Sequence, residues 1–323
     1  MPQIRKPSRR FAIFLMLLNT VAWGAALPIV KPALSYITPY QFLLYRYIFA
    51  AIFSFPLLVY YLPKIKHLWK KIGTIVILEL IGTTLALGML YKGLSYTTSI
   101  QASLIATTTP IFIILGGIFF LREKEETHEW LGLLLAAIGT LLLTLEPMLK
   151  GTDALGPISW TGNVFVIGQN LATAAYFLLA KKQYLGIPKL FVTTISYYVG
   201  MISFLFIDAF TLHGQALGFN QPMWVQLSHP AVFIAVLYMA TFGSIIGLTA
   251  YIRGQDGMEA SEASVFTYLQ PLVFIPLSVL WLSEKVSTPM IIAVVFIAVG
   301  VWVSEYRPKR KLAPESEKEF AET

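Results

Sequence analysis

Arg46 and Glu79 are the two residues whose type and setting most demand a chemical reason. Arg46 lies seven residues into the second of a series of long apolar runs, and Glu79 lies a similar depth into the third, within "IVILELIG". A charge at the centre of a bilayer costs roughly 2.5–3.5 kcal/mol on insertion scales, so ionisable residues in such runs are retained for a purpose. For Arg46 two purposes stand open: snorkelling to a nearby interface, or meeting an anionic group of a substrate inside a cavity. For Glu79 they are proton coupling, or a buried acid hydrogen-bonded to a neighbouring helix. Uncharged polar residues add to the set: Asn19 and Trp23 beside Gly24 in the first run, Gln169, Asn170 and Tyr176 in the sixth, and Tyr197, Tyr198, Tyr251, Tyr268 and Gln270 further on. Aromatic walls with a few convergent polar groups suit a small amphiphilic metabolite. Each residue taken singly also fits an interhelical hydrogen bond. Asp208, near the outer end of the seventh run, reads as interfacial.

Several chemistries are absent from the residues. There is no cysteine, which removes thiolate ligands, cysteine nucleophiles and disulfides. The four histidines, His67, His128, His213 and His229, fall in connections without metal-ligand spacing. "REKEETHEW" lacks the paired histidines of a zinc protease motif, and no phosphate loop of the Walker type occurs. The sequence therefore calls for no metal and no cofactor, and any work must come from solute gradients, protons or exchange.

The elements that hold these residues are membrane spans. The chain is 56% hydrophobic and 13% charged, with a mean hydropathy of +0.69, well beyond the roughly 45–50% and 25% of a soluble domain. Ten runs approach the length needed to cross a bilayer: 11–30, 40–62, 72–91, 98–121, 129–146, 161–180, 190–212, 231–252, 263–282 and 288–305. The first follows "RKPSRR" but is longer than the apolar core of a signal peptide, and is read as a retained helix. Residues 1–10 form a basic tail, 147–160 a linker, and 306–323 a charged, disordered tail. The net charge of +7 is not a nucleic-acid footprint, because the basic residues form short clusters between apolar runs. Of the 24 Lys and Arg, 19 fall on one side of a ten-span arrangement and four on the other. That asymmetry places both termini in the cytoplasm.

"ASLIATTTPIF" at 102–112 returns as "ASVFTYLQPLV" at 263–273. One ungapped offset of 161 residues pairs Gly82 with Gly243, Gly93 with Gly254, Ser103 with Ser264, Pro110 with Pro271, Glu123 with Glu284 and Gly139 with Gly300. Earlier in each half the match fades, although "AW" at 22 and "AY" at 175 correspond with a shorter offset. Five spans per half is an odd number, so the second half enters the membrane from the opposite side. The expectation is an all-α integral membrane protein of ten transmembrane helices in two inverted five-helix repeats, 11–146 and 161–305. Pro110 and Pro271 would kink the fourth and ninth helices and free the carbonyls of Ala106 and Thr267. Such carbonyls are tolerated at membrane depth only beside protein or a water-filled cavity. Either the kinks line a pathway as hinges, or they are packing kinks satisfied by Thr107, Thr108, Thr109 and Gln270. Glu123 and Glu284, repeated at the approach to the following helices, read as structural carboxylates favoured by a helix dipole. Gly116, Gly117, Gly132, Gly139 and Gly300 read as points of close helix approach.

In "YKGLSYTTSIQASLIATTTPIF", "LREK" and "GLLLAAIGTLLL", and again in "GSIIGLTAYIRGQDGMEASEASVFTYLQPLV", "LSEK" and "IIAVVFIAVGVW", the sequence resembles an EamA-type member of the drug/metabolite transporter superfamily over about residues 10–305. It departs from that pattern in "YIRGQDGME", whose Arg253, Asp256 and Glu259 make the connection more charged. The resemblance implies a ten-helix inner-membrane carrier with two five-helix repeats, commonly an exporter of amino acids or other small metabolites. The expectation is a secondary active transporter working by alternating access. A channel or lipid scramblase of the same architecture is the alternative, and an intramembrane enzyme finds no catalytic constellation. Expected partners are a small-molecule substrate and the lipid bilayer, with no nucleic acid; self-association into a homo-oligomer is left open.

Overall fold

In the computed structural model, residues 7–64, 68–109, 111–113, 115–116, 127–150, 160–184, 187–211, 221–255, 266 and 269–305 are described. Among them every regular element is helical. Six helices are long and apolar enough to cross a membrane, by length and composition: Arg9–Ser35, Pro39–Tyr61, Lys71–Tyr96, Trp160–Ala180, Leu190–Phe210 and Pro230–Tyr251. Shorter apolar helices lie at Ser99–Ile113, Trp130–Leu142, Pro271–Leu282 and Thr288–Gly300. Large apolar side chains cover the exterior, with Leu280 83% and Phe210 75% exposed beside Phe14, Ile52, Ile77 and Trp302. Water-facing surfaces rarely carry so much apolar area, and lipid is the solvent that suits it. The chain is a multi-pass membrane protein.

The local sequence sets the helix boundaries. Helix α1 (Arg9–Gly24) begins behind Ser8, whose hydroxyl accepts from the Phe11 amide, and runs through a brief interruption into α2 (Ala26–Val30). Helix α3 (Pro39–Tyr61) starts with a reciprocal capping box: Thr38 Oγ1 accepts from Gln41 N, and Gln41 Oε1 accepts from Thr38 N, with Pro39 at the first turn. Helices α4 (Leu68–Glu79) and α5 (Ala86–Tyr96) are joined by a π-helical segment, Leu80–Leu85. After α6 (Ser99–Ala106) come α7 (Thr127–Lys150), α8 (Trp160–Gln183), α9 (Lys189–Thr211) and α10 (Met223–Leu227). Helices α11 (Pro230–Tyr238) and α12 (Gly247–Gln255) are joined by a second π-helical segment, Met239–Ile246, and α13 (Pro271–Leu282) and α14 (Thr288–Glu305) complete the chain. Gly82 and Gly243, paired by the 161-residue offset, each fall inside a π segment.

Packing is crosswise between the two halves. Helix α3 lies along α9, α7 along α14, and α6 against α13, while α1 packs on α12 and α8 packs on α5. Small residues permit this closeness, as they do wherever lipid removes a hydrophobic drive between helices. At Gly139 of α7 a Cβ would sit 2.7 Å from Ile297 and 2.8 Å from the Ala293 carbonyl of α14. The main buried cluster, which includes Phe42, Tyr91, Ile100, Leu104, Phe204 and Phe274, draws on both halves.

Pro271 occupies the first turn of α13, whereas the sequence suggested a kink inside a longer helix. Leu269 and Gln270 form a turn just before it, and a first-turn proline has no amide that the helix would have used. The flanking hydrogen bonds tighten to three-residue spacing: Leu269 N donates to Phe266 O and Leu272 N to Leu269 O. At the positions 161 residues earlier, Thr108 N donates to Ile105 O and Ile111 N to Thr108 O. Pro110 itself lies outside the described residues, as do Glu123, Thr267 and Tyr268.

Candidate functional site

Glu79 ends α4 and is 1% exposed. Three hydroxyls converge on its carboxyl group: Thr83 Oγ1 donates to Oε2 at 2.9 Å, and Tyr176 and Tyr184 each donate to Oε1 at 2.9 Å. Thr83 comes from the adjoining π segment, Tyr176 from α8, and Tyr184 from the residue that follows it. Burial first, and the Glu79 carboxylate second, push the Tyr184 hydroxyl above the ordinary phenol range, so it stays protonated and able to donate. Gly82 lies directly beneath the Tyr176 ring, where a Cβ would come within 2.5 Å.

Arg46 of α3 is 7% exposed and faces the second π segment. Its Nε and one terminal nitrogen donate to Ser244 Oγ at 3.2 and 3.1 Å, and the other terminal nitrogen lies 3.5 Å from the Tyr91 hydroxyl. The guanidinium carbon also stands 5.2 Å from the Tyr47 ring centre. Ser244 donates its own hydrogen to the Met239 carbonyl at 2.8 Å, so it turns lone pairs toward the cation. Among the described residues no carboxylate lies within ion-pair distance of Arg46. The side chain points at another helix instead of snorkelling to an interface.

The other sequence candidates divide by partner. Trp23 Nε1 donates to the Gly243 carbonyl at 3.0 Å, Asn19 Nδ2 to the Gly247 carbonyl at 3.0 Å, and Tyr251 packs its ring 5.2 Å from that of Trp23. These three join α1 to the second π segment and α12. Asn170 reaches from α8 to the broken end of α6, donating to the Ile105 carbonyl at 2.8 Å and to Thr108 Oγ1 at 3.0 Å. Thr109 donates to Asn170 Oδ1 and also to the Ala106 carbonyl, the group a proline at 110 would free. Gln169 bonds Thr173 through its nitrogen, and its buried Oε1 has no partner among the described residues. Gln270 precedes Pro271 in the turn, its carbonyl accepting from Val273 and Phe274 and lying close beneath Gly24.

Glu284 accepts from Ser99 N at 2.7 Å, Ser99 Oγ at 2.9 Å and Ile100 N at 2.9 Å. The sequence placed this carboxylate at its own following helix; the helix end it serves is that of α6, in the other half. The first-turn amides of α6 lack intrahelical partners and the dipole favours an anion there, which makes that end the more favourable place for the charge. Near the same end of the bundle, Lys31 Nζ donates to the carbonyls of Leu94 and Thr97. Sequence reasoning missed Thr83, Tyr91, Tyr184 and Ser244. Thr83 and Ser244 were findable, since the 161-residue offset pairs them, both are hydroxyl residues, and each follows an offset-paired glycine. Nothing in "KKQYLG" singled out Tyr184. Among the described residues no group of His, Asp or Glu is arranged to hold a metal ion.

Two buried charged groups, each held by hydroxyls, thus sit inside the apolar helices of a membrane protein. The chain belongs to the EamA-like transporter family, whose model matches residues 10–145 and 160–306. It is thus a transporter of the drug/metabolite transporter superfamily and not an enzyme. It is similar to the uncharacterized transporter YetK of Bacillus subtilis, at 26% identity over 75% of this chain and 70% of that protein. It is also similar to the uncharacterized transporter YyaM of the same organism, at 25% over 90% and 92%, and to protein PagO of Salmonella typhimurium, at 22% over 90% and 91%. A solved crystal structure superposes with a TM-score of 0.62, covering 92% of this chain and 97% of its own at 15% identity, which shows a shared fold.

Proposed function

We propose that this protein is a secondary active transporter that moves a small metabolite out of the cell by alternating access. Its ten spans form two inverted five-helix repeats, 11–146 and 161–305, with both termini in the cytoplasm. The observation that carries this reading is the crosswise packing. Counted by span, the second (α3) pairs with the seventh (α9), the fourth (α6) with the ninth (α13) and the fifth (α7) with the tenth (α14), and the contact of the first (α1) with the eighth (α12) is matched by that of the sixth (α8) with the third (α5). A two-fold axis in the membrane plane would give that set of contacts. Trp23 on Gly243 and Tyr176 over Gly82 repeat the same relation at residue level. Two halves related in this way can exchange conformations around a fixed central site.

The moving parts are the segments where the helices are already irregular. π-Helical turns are frequent at functional sites, and here one holds Glu79 through Thr83 and the other holds Arg46 through Ser244. The breaks beside Pro110 and Pro271 act as hinges. Glu79 is the coupling residue: as a carboxylate it accepts from three hydroxyls, and on taking a proton it gains a donor, so one hydroxyl must turn away or accept. Because Tyr176 lies in α8 and Tyr184 directly follows it, that change loosens α8 from the first π segment.

Solute counterflow in proteoliposomes, screening labelled amino acids, nucleosides and sugar phosphates with and without a pH gradient, tests the reading. Saturable exchange of one class supports a carrier. Ohmic current or flux that never saturates would favour a channel or scramblase built on the same helices.

A further inference from the structure

The geometry points to a single carboxylate as the charged group that Arg46 receives, making the transported solute a small monocarboxylate anion; this rests on the transporter reading above. A guanidinium cannot shed its proton, so Arg46 keeps its charge inside the span. What surrounds that charge is neutral: Ser244 and Tyr91 hydroxyls and the Tyr47 ring. A buried cation met, among the described residues, by hydroxyl dipoles and an aromatic ring but no anion is poorly compensated, and its strongest available partner is an anion in the same low-dielectric space. Among the described residues, two terminal N–H groups remain uncommitted after the contacts to Ser244 and Tyr91, and the Tyr91 contact, at 3.5 Å, is long. A planar fork with spare donors matches the two oxygens of a carboxylate.

Charge balance sets the valence. One cation neutralises one negative charge, and a second negative charge would be buried in a low-dielectric span without a matching cation. Dianionic phosphate monoesters are therefore disfavoured. The walls nearest the guanidinium are aromatic, which favours a solute with an apolar body behind its charged end.

The test compares matched probes on the intact protein: butyrate with butyramide, benzoate with benzamide, hydrocinnamate with its amide, and the corresponding amines. Binding is read as a concentration-dependent rise in the unfolding midpoint in detergent, and transport as counterflow in proteoliposomes. At least one acid is expected to bind at least about tenfold more tightly than its amide, as for a hydrogen-bonded charge. Arg46→Gln should erase that preference, and Arg46→Lys, which keeps charge but loses the fork, should reduce it; where Arg46→Gln yields no folded protein, Arg46→Lys decides. No acid outperforming its amide, a preference for amines, or an undiminished preference in the folded variants would overturn the proposal. Acid binding without counterflow would leave Arg46 as the anchor and remove the carrier. Counterflow confined to neutral or cationic solutes would do the reverse.

Discussion

Thr83 and Ser244, related by the 161-residue offset, present their hydroxyls from two π-helical segments to opposite charges. Thr83 donates to Glu79 at 2.9 Å, while Ser244 accepts from Arg46 at 3.1 and 3.2 Å. The two halves use one local geometry to hold an acid in one place and a base in the other.

Glu79→Gln should abolish the pH dependence of transport while leaving exchange of solute across equal pH in place, because the amide mimics the protonated acid, with one oxygen that accepts and a nitrogen that donates, and takes no further proton. Counterflow at stepped internal pH checks this. A variant with the native pH profile would remove Glu79 from coupling.

The glycines of the two π segments should differ in tolerance. In Gly82→Ala the new methyl meets the Tyr176 ring, which is tethered to Glu79 by its hydroxyl, so overpacking of about 1–3 kcal/mol should outweigh the helix-propensity gain of about 1 kcal/mol. In Gly243→Ala the neighbour is the flexible end of Met239, 2.6 Å away, which can swing aside. Thermal unfolding in detergent should show a lowered midpoint for the first and little change for the second.

Glu284→Gln removes the charge that two amides and a hydroxyl of α6 address, and should cost about 1–3 kcal/mol. Lys285→Gln, at an exposed neighbouring side chain, should stay within about 0.5 kcal/mol. Equal midpoints for the two variants would mean that Glu284 does not cap α6.

At the helix breaks, Asn170→Ala strips the stitch between α8 and the end of α6 and should cost about 1–2 kcal/mol. Thr20→Val removes the counterpart, the Thr20 hydroxyl 2.9 Å from the Phe266 carbonyl, and should cost less, since that hydroxyl also has the Met16 carbonyl at 3.0 Å. Unfolding midpoints of the two single variants compare them directly.

Much of the helical framework was legible because lipid imposes a strong condition on sequence: long apolar runs with the charges left outside. The offset that pairs Pro110 with Pro271 also marked where the helices break. The form of the break was less visible, since a proline permits a kink or a new first turn, and the choice rests on hydroxyls such as Thr109 and on Asn170 from another helix. The partners of Arg46 and Glu79 were hidden for the same reason. Ser244 and Tyr184 lie 198 and 105 residues from the charges they serve, and such pairs leave no local pattern. Glu284 was assigned to its nearest helix in sequence, whereas packing brought a more distant helix end to it.

Alternating access is most directly tested by distance measurements between spin labels on this cysteine-free chain. One pair, Tyr36→Cys with Val286→Cys, reports on the end of the bundle that carries Lys31 and Glu284. The other, Leu62→Cys with Gln183→Cys, reports on the opposite end; all four native residues are exposed. On adding transported solute or shifting pH in liposomes, the two distance distributions should move in opposite senses, one end opening as the other closes. Distributions that stay fixed, or that widen together, in protein that transports would contradict alternation between the halves.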